Sequence, residues 1–128
     1  MNKEFCTYEQ ALALKELGFN EPCFGYYTKD KVWQPASYSY EGTEYPWNSV
    51  WPFTTAPLYQ QAFRFFREKY KLAVDIKSEH LGYYTSIVNR DVMVRITMKP
   101  VNIFETYEEA ELACLNKLIE IIKLNKQD

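Results

Sequence analysis

The chain has little of what the common catalytic motifs require. Its 128 residues include four glycines and one histidine. The glycines are dispersed, and no GxGxxG, GxxxxGK[ST] or GxSxG sequence occurs, so no phosphate-cradling loop or nucleophile elbow is present. His80 alone cannot form a multi-histidine metal site. We therefore predict no catalytic residues, no metal and no cofactor, and keep an enzyme without a recognised motif as a third hypothesis.

Cysteine, charge and long apolar runs are also scarce. The three cysteines are widely spaced, with no CxxC pair, which is typical of reduced, packed thiols in a cytoplasmic protein. A net charge of −2 gives no general attraction to nucleic acid. Residues 1–5 have no apolar signal region, and no run is long enough to span a membrane. We expect a cytoplasmic protein with neither a membrane nor nucleic acid as its partner.

What the chain does have is one helix-start motif used twice. TYEQA occupies residues 7–11 and TYEEA occupies residues 106–110. Each is a capping box, in which a Thr hydroxyl accepts the backbone N–H three residues on and the Gln or Glu there reaches back to the Thr N–H. The motifs predict one helix over residues 8–17, ended by Gly18, and another over residues 107–124.

The segments between these helices alternate between strand and helix patterns. A third helix is predicted from residue 55 or 56 to residue 70, with Pro57 in its first turn and a clean polar face. Apolar and alternating runs predict strands over residues 22–27, 32–40, 72–77, 83–88 and 92–98, with a tight turn at residues 89–91. We therefore predict one α+β domain over residues 1–128. It has an antiparallel sheet of about five strands and three helices, in the order α-β-β-α-β-β-β-α.

The C-terminal helix carries a wide apolar surface and only a narrow polar stripe. A helix of this kind is usually enclosed on more than one side. It either lies between the sheet and another helix, which we favour, or completes its burial against a second chain. In the second case, the homo-oligomer contact is predicted at Leu115, Ile119 and Ile122.

Aromatic residues are concentrated in one segment. Nine of them lie between residues 26 and 53, and residues 41–54 read as a long ordered loop. The loop rings either fold back as a lid on the core or line a recognition surface. Rigid rings suit protein interfaces and base stacking, and cations on the middle helix would suit phosphate or carboxylate. For the second case, the predicted ligand-binding residues are Trp33, Tyr38, Tyr40, Tyr45, Trp47, Arg64 and Arg67.

Three blocks of the chain resemble a known group of proteins. They are residues 7–19 with 21–24, residues 57–70 and residues 104–115. Together they resemble a family of small uncharacterised proteins from phages and prophages of gut Bacteroidales. The blocks are helix and strand scaffold, and the family has no catalytic or binding residues to carry over. The resemblance implies a phage accessory protein that acts in the bacterial cytoplasm.

These observations support two main hypotheses. The first is a non-catalytic phage binding protein that holds a small host-derived, nucleotide-like molecule or a host protein, by analogy with proteins that counter host defence. The second is a structural or interaction protein that forms a homodimer through its C-terminal helix and has no small-molecule ligand.

Overall fold

The computed structural model describes residues 2–36, 52–97 and 103–126. The contacts of the chain group into two compact units, Met1–Ala62 and Phe63–Asp128, called here the first unit and the second unit. The prediction of a single domain stays a prediction. The aromatic residues Tyr38, Tyr40, Tyr45 and Trp47 lie outside the described residues.

Three α-helices and six strands are described, together with a short 3-10 helix at Asn2–Glu4. The helices are α1 (Tyr8–Glu16), α2 (Tyr59–Tyr70) and α3 (Tyr107–Lys126). The strands are β1 (Gly25–Tyr27), β2 (Trp33–Pro35), β3 (Thr54–Ala56), β4 (Leu72–Glu79), β5 (Gly82–Asn89) and β6 (Val94–Thr97). The predicted α+β class and the three helices are confirmed.

The predicted single sheet is wrong for the described strands, which form two. The first unit contains the order β2-β1-β3 and the second unit the order β4-β5-β6, and every pair is antiparallel. The prediction missed β3, which it assigned to the long loop and the start of α2. All three residues of β3 are buried, so this short strand lacks the polar-apolar alternation that marks a half-buried strand. Pro35 lies on β2, an edge strand among the described strands of its sheet, where a residue without an N–H is tolerated.

The predicted capping box at the start of α1 is complete. The Gln10 N–H donates to Thr7 Oγ1 at 3.2 Å, and the Thr7 N–H donates to Gln10 Oε1 at 3.1 Å. The same Gln10 oxygen accepts the hydroxyl of Tyr59 at 2.9 Å. Gln10 is only 3% exposed, so this amide is a buried junction between the starts of α1 and α2.

The end of α1 follows the predicted glycine stop. Gly18 adopts a left-handed φ of 97°, and its N–H donates to the Lys15 carbonyl at 3.1 Å. The next N–H, of Phe19, donates to the Leu14 carbonyl at 3.0 Å. This pair of bonds is a Schellman motif, and Leu14 and Phe19 are both buried, as that motif favours.

The start of α2 lies later than predicted. Pro57 precedes the helix, and its carbonyl accepts the Cys6 N–H at 2.9 Å. The Leu58 N–H donates to Gln61 Oε1 at 3.0 Å, so a side chain three residues on satisfies the helix entry. The predicted polar face of α2 is confirmed, because Gln60, Arg64, Arg67 and Glu68 are all exposed while Ala62, Phe63 and Phe66 are buried.

The second unit places α3 against β5 and β4. The Glu109 N–H donates to Thr106 Oγ1 at 3.1 Å, which confirms the predicted helix start. The predicted homo-oligomer residues Leu115, Ile119 and Ile122 are buried within the chain. They are therefore not a free surface, and a homodimer through them would first have to open this packing. The exposed side of α3 carries Asn116, Glu120 and Lys123.

The last hairpin also departs from the prediction. Asn89 still pairs with Val94, so β6 begins at Val94 and Val92 belongs to the turn. The Asp91 N–H donates to Asn89 Oδ1 at 3.0 Å. That side-chain bond stabilises a wider turn than the predicted one, because an Asn side chain can imitate a backbone turn.

All three cysteines are buried and free, as predicted. Burial raises the pKa of the Cys114 thiol to about 11, although a hydrogen bond with the Thr85 side chain acts in the opposite direction. Burial likewise raises the pKa of the Tyr27 hydroxyl to about 12. That hydroxyl donates to the Cys6 carbonyl at 2.6 Å, a bond that the ionised phenolate could not make.

These two groups make the stability of the protein fall in alkali. Above about pH 9 the unfolded chain releases the thiol proton while the folded chain keeps it. The unfolded state then binds fewer protons, so the free energy of unfolding decreases as pH rises towards the folded pKa values. Urea denaturation at pH values from about 8 to about 11 measures this decrease.

Cys114→Ser is the control for this prediction, because serine does not titrate in that range. We expect its free energy of unfolding to fall less steeply with pH than that of the wild type. Equal slopes for the two proteins would show that the thiol titrates alike in the folded and unfolded states.

Candidate functional site

His80 and Cys114 lie in different surroundings in the described structure. His80 is exposed in the turn between β4 and β5. The raised pKa of Cys114 keeps that thiol protonated near neutral pH, so it lacks the thiolate character of an activated nucleophile. Among residues 2–36, 52–97 and 103–126, no three His, Cys, Asp or Glu side chains form a group that could hold a metal ion.

The predicted ligand-binding residues have different outcomes. Trp33 lies on β2 in the first unit and is half-buried. Arg64 and Arg67 lie on the exposed side of α2, within the second unit. The other four, Tyr38, Tyr40, Tyr45 and Trp47, lie outside the described residues. The choice between a lid and a recognition surface for residues 41–54 therefore stays open, and of the loop's rings only Phe53 is described.

Phe53 lies at the end of that loop, beside the first sheet. Its ring meets the Tyr26 ring edge to face, with centroids 5.2 Å apart. Its carbonyl accepts a hydrogen bond from the Lys15 ammonium at 2.9 Å. These contacts tie the chain to α1 and β1 immediately before β3 begins.

Trp33 belongs to a cluster of rings that the sequence prediction did not identify. The Phe5 ring lies 4.9 Å from the Trp33 ring, and the Tyr8 ring meets the Tyr27 ring edge to face at 5.6 Å. Trp33 and Tyr27 are direct cross-strand partners of β2 and β1. Tyr27 is buried, whereas Phe5, Tyr8 and Trp33 are half-buried around it. We call these three half-buried residues, together with Lys31, the aromatic face.

A missing side chain makes room for the Trp33 ring. Gly25 lies on β1, and a Cβ atom there would stand 2.3 Å from Trp33 Nε1 and 2.5 Å from its Cε2. Contacts that short do not occur between real atoms, so only glycine lets the indole lie over this strand. The Trp33 Nε1 atom is buried and has no hydrogen-bond partner in the structure, which leaves one donor unsatisfied in the interior and out of reach of a ligand at the face.

Lys31 is fixed beside these rings by the turn that joins β1 and β2. The Thr28 N–H donates to the Val32 carbonyl and the Lys31 N–H to the Thr28 carbonyl, each at 2.9 Å. Lys31 has a left-handed φ of 67°, which a residue with a side chain adopts only at a cost. Its ammonium lies 5.3 Å from the centre of the Tyr8 ring, within the range of a cation–π interaction.

The aromatic face is assembled from two distant stretches of sequence, which is why the sequence prediction missed Phe5, Tyr8 and Lys31. Phe5 precedes the N-terminal capping box and Tyr8 lies within it, and the hydrophobic-staple positions of the box are occupied by Cys6 and Ala11, which are both fully buried. The staple indicates that this entry segment folds back on the core. It does not indicate which strand the segment meets.

The face can offer ring surface and one positive charge. This combination suits a ligand with a flat ring and an anionic group.

Two further findings concern the described helices and the comparisons with known proteins. Among the described residues, no helix is long and apolar enough to cross a membrane. The chain matches no protein-family model, no curated protein and no solved structure.

Proposed function

We propose that this chain is a non-catalytic binding protein whose aromatic face holds a small, nucleotide-like molecule. The observation that carries the proposal is the position of the Lys31 ammonium over Tyr8, next to the partly exposed rings of Phe5 and Trp33. A base or other flat ring would stack on the rings, and its phosphate would pair with the ammonium.

The charges of the turn support an anionic ligand. Lys29, Asp30 and Lys31 are exposed there, so the turn carries one net positive charge in a protein whose net charge is −2.

The biological setting follows from the resemblance to phage and prophage proteins. We propose that the protein acts in the cytoplasm of the bacterial host, where holding a host nucleotide signal would counter defence. A host protein that presents an aromatic and acidic side chain would fit the same face.

The first test of this proposal is thermal unfolding with mononucleotides, cyclic dinucleotides, nucleosides and inorganic phosphate. A ligand that binds only the folded state at about 100 times its Kd stabilises that state by about 2.7 kcal/mol, so the melting temperature rises. We expect nucleotides to raise it more than nucleosides or phosphate alone. A panel in which none raises it would contradict the proposal.

Two lysine variants locate the binding site. Lys31→Gln should weaken the nucleotide affinity by about fivefold to tenfold, because one exposed charge contributes about 1 kcal/mol. Lys29→Gln is the matched control, since it removes the same charge from the same turn but away from the Tyr8 ring. Calorimetric titration measures both affinities. Equal losses in the two variants would show a general charge effect and not this face.

A glycine substitution tests the geometry of the face. Gly25→Ala would place a Cβ atom against the Trp33 indole, so the ring must move outward, and we expect a loss of about 1–3 kcal/mol in unfolding free energy. Fluorescence of the Trp33 ring should shift to longer wavelength as it becomes more exposed.

The matched control for Gly25→Ala is made in a Trp33→Leu background, where no indole occupies the space. There the added methyl group should cost much less stability and leave the fluorescence unchanged. The same loss in both backgrounds would contradict the described contact.

A further inference from the structure

The turn between β5 and β6 exposes three consecutive apolar residues. Val92, Met93 and Val94 are all exposed, and Met93 reaches 77%. Two exposed cations, Arg90 and Lys71, lie beside them. The Arg90 N–H donates to the Lys71 carbonyl at 2.8 Å, which brings these two residues together. We call these five residues the basic tip. An exposed apolar run of this kind is avoided in proteins unless a partner covers it.

The basic tip is held in a defined and strained shape. The bond from the Asp91 N–H to Asn89 Oδ1 fixes the start of the turn. Met93 has a φ of 56°, in the left-handed region where Gly, Asn or Asp is favoured over a long apolar side chain. A Gly, Asn or Asp at this position would remove both the backbone strain and the exposed apolar side chain. Met93 therefore combines two local free-energy costs at one position.

The opposite end of the same sheet also exposes apolar side chains. Leu81, in the turn between β4 and β5, is 69% exposed. Tyr83 exchanges two hydrogen bonds with Phe104, at 2.9 and 3.0 Å, and its ring lies 5.7 Å from that of Tyr107. These contacts place the chain around Phe104, including exposed Ile103 and Tyr107, beside the first residues of β5.

The charge at this end is negative. Exposed carboxylates are contributed by Glu79, Glu105 and Glu108, and the cation Lys77 is paired with Glu79 at 3.6 Å. We call these three carboxylates, together with Leu81, Ile103 and Tyr107, the acidic end. It is apolar and negative. The basic tip is apolar, and its two cations, Lys71 and Arg90, outnumber the one exposed carboxylate of the same turn, Asp91, so its net charge is positive.

The two surfaces cannot meet within one copy. They lie at the two ends of β5, whose eight residues span about 25 Å at the usual rise of a strand. Surfaces that are complementary in charge and located on opposite ends of a rigid sheet can pair only between copies. We infer that the basic tip of one copy docks on the acidic end of a second copy.

This contact is heterologous, because different surfaces of the two copies meet. A heterologous contact leaves one free surface of each kind, so it continues into chains or closes into a ring. Both patches are small, which places the contact among weak interfaces. Since opposite charges meet, the association should weaken as salt concentration rises.

The second copy explains both surfaces with one contact. An anionic membrane would account for the basic tip alone and leave the acidic end without a role. The tip also has none of the Trp or Tyr residues that favour the membrane interface. The buried α3 residues Leu115, Ile119 and Ile122 take no part in this contact.

The test uses two variants that each block one surface. Met93→Asp removes the apolar tip and adds a negative charge, and it is safe for folding because Asp tolerates the left-handed backbone better than Met. Leu81→Lys removes the apolar residue of the acidic end and adds a positive charge at an exposed turn. Circular dichroism and thermal unfolding check that both variants fold as the wild type does.

Sedimentation velocity over rising protein concentration then gives three results. The wild type should form dimers and larger species, more at low salt. Each variant alone should stay monomeric. An equal mixture of the two should form dimers and nothing larger, because Leu81→Lys keeps its basic tip and Met93→Asp keeps its acidic end. Phe24→Lys, at an exposed apolar residue of the first unit, is the control and should associate as the wild type does.

Three outcomes would overturn the inference. They are a wild type that stays monomeric, a blocked variant that associates as the wild type does, and a mixture that stays monomeric. Vesicles of anionic lipid form a separate arm. If they bind the wild type but not Met93→Asp while the wild type remains monomeric, the basic tip docks on a membrane and the inference is wrong.

Discussion

The first unit depends on one buried amide oxygen. Gln10 Oε1 accepts the Thr7 N–H and the Tyr59 hydroxyl, so it joins the start of α1 to the start of α2. The Cys6 N–H reaches the Pro57 carbonyl beside it, which adds a second link between the same two segments. Because the oxygen is buried, water cannot replace a lost partner, and each donor that lost it would remain unsatisfied. Tyr8 lies between Thr7 and Gln10, and Phe5 lies just before them, so the geometry of the aromatic face depends on this junction.

The second unit has a simpler construction. Two hairpins form its sheet, and α3 covers the sheet with the apolar surface that the sequence displays. The turns at the two ends of β5 are then left with exposed apolar residues of opposite electrostatic surroundings. The helix α3 therefore stabilises the second unit, and the two turns carry the exposed apolar surfaces that we propose for recognition. In our proposals the two units make different kinds of contact, because the first unit holds a small ligand and the second unit contacts a second copy.

Local signals predicted the local structure well. Residues close together in the sequence determine the capping box of α1, the glycine stop at Gly18, the polar face of α2 and the start of α3. At the helix ends, local backbone hydrogen bonds decide the outcome. The sequence could not show how the strands divide into two sheets. Strand pairing joins distant segments, and the short buried strand β3 has no periodic pattern of its own.

The candidate site was predictable only in part. Trp33 could be named because aromatic residues are concentrated in the segment that contains it. Phe5, Tyr8 and Lys31 could not, since their approach depends on how the N-terminal segment meets the β1–β2 hairpin. The space for the indole comes from Gly25, whose role is visible only once Trp33 is placed over it. Likewise, the basic tip was hidden because Val92 and Val94 read as one face of a strand. The strand begins only at Val94.

The most direct measurement is a double-mutant cycle between Gln10→Ala and Tyr59→Phe, with the free energy of unfolding as the readout. Glu109→Ala, at the equivalent but exposed position of α3, is the control and should cost no more than about 0.5 kcal/mol. If Gln10 Oε1 is the junction, the two changes remove the same bond, and their effects should differ from additivity by about 1 kcal/mol or more. Effects that add to within about 0.5 kcal/mol would contradict the account, because they would show that the two residues act independently.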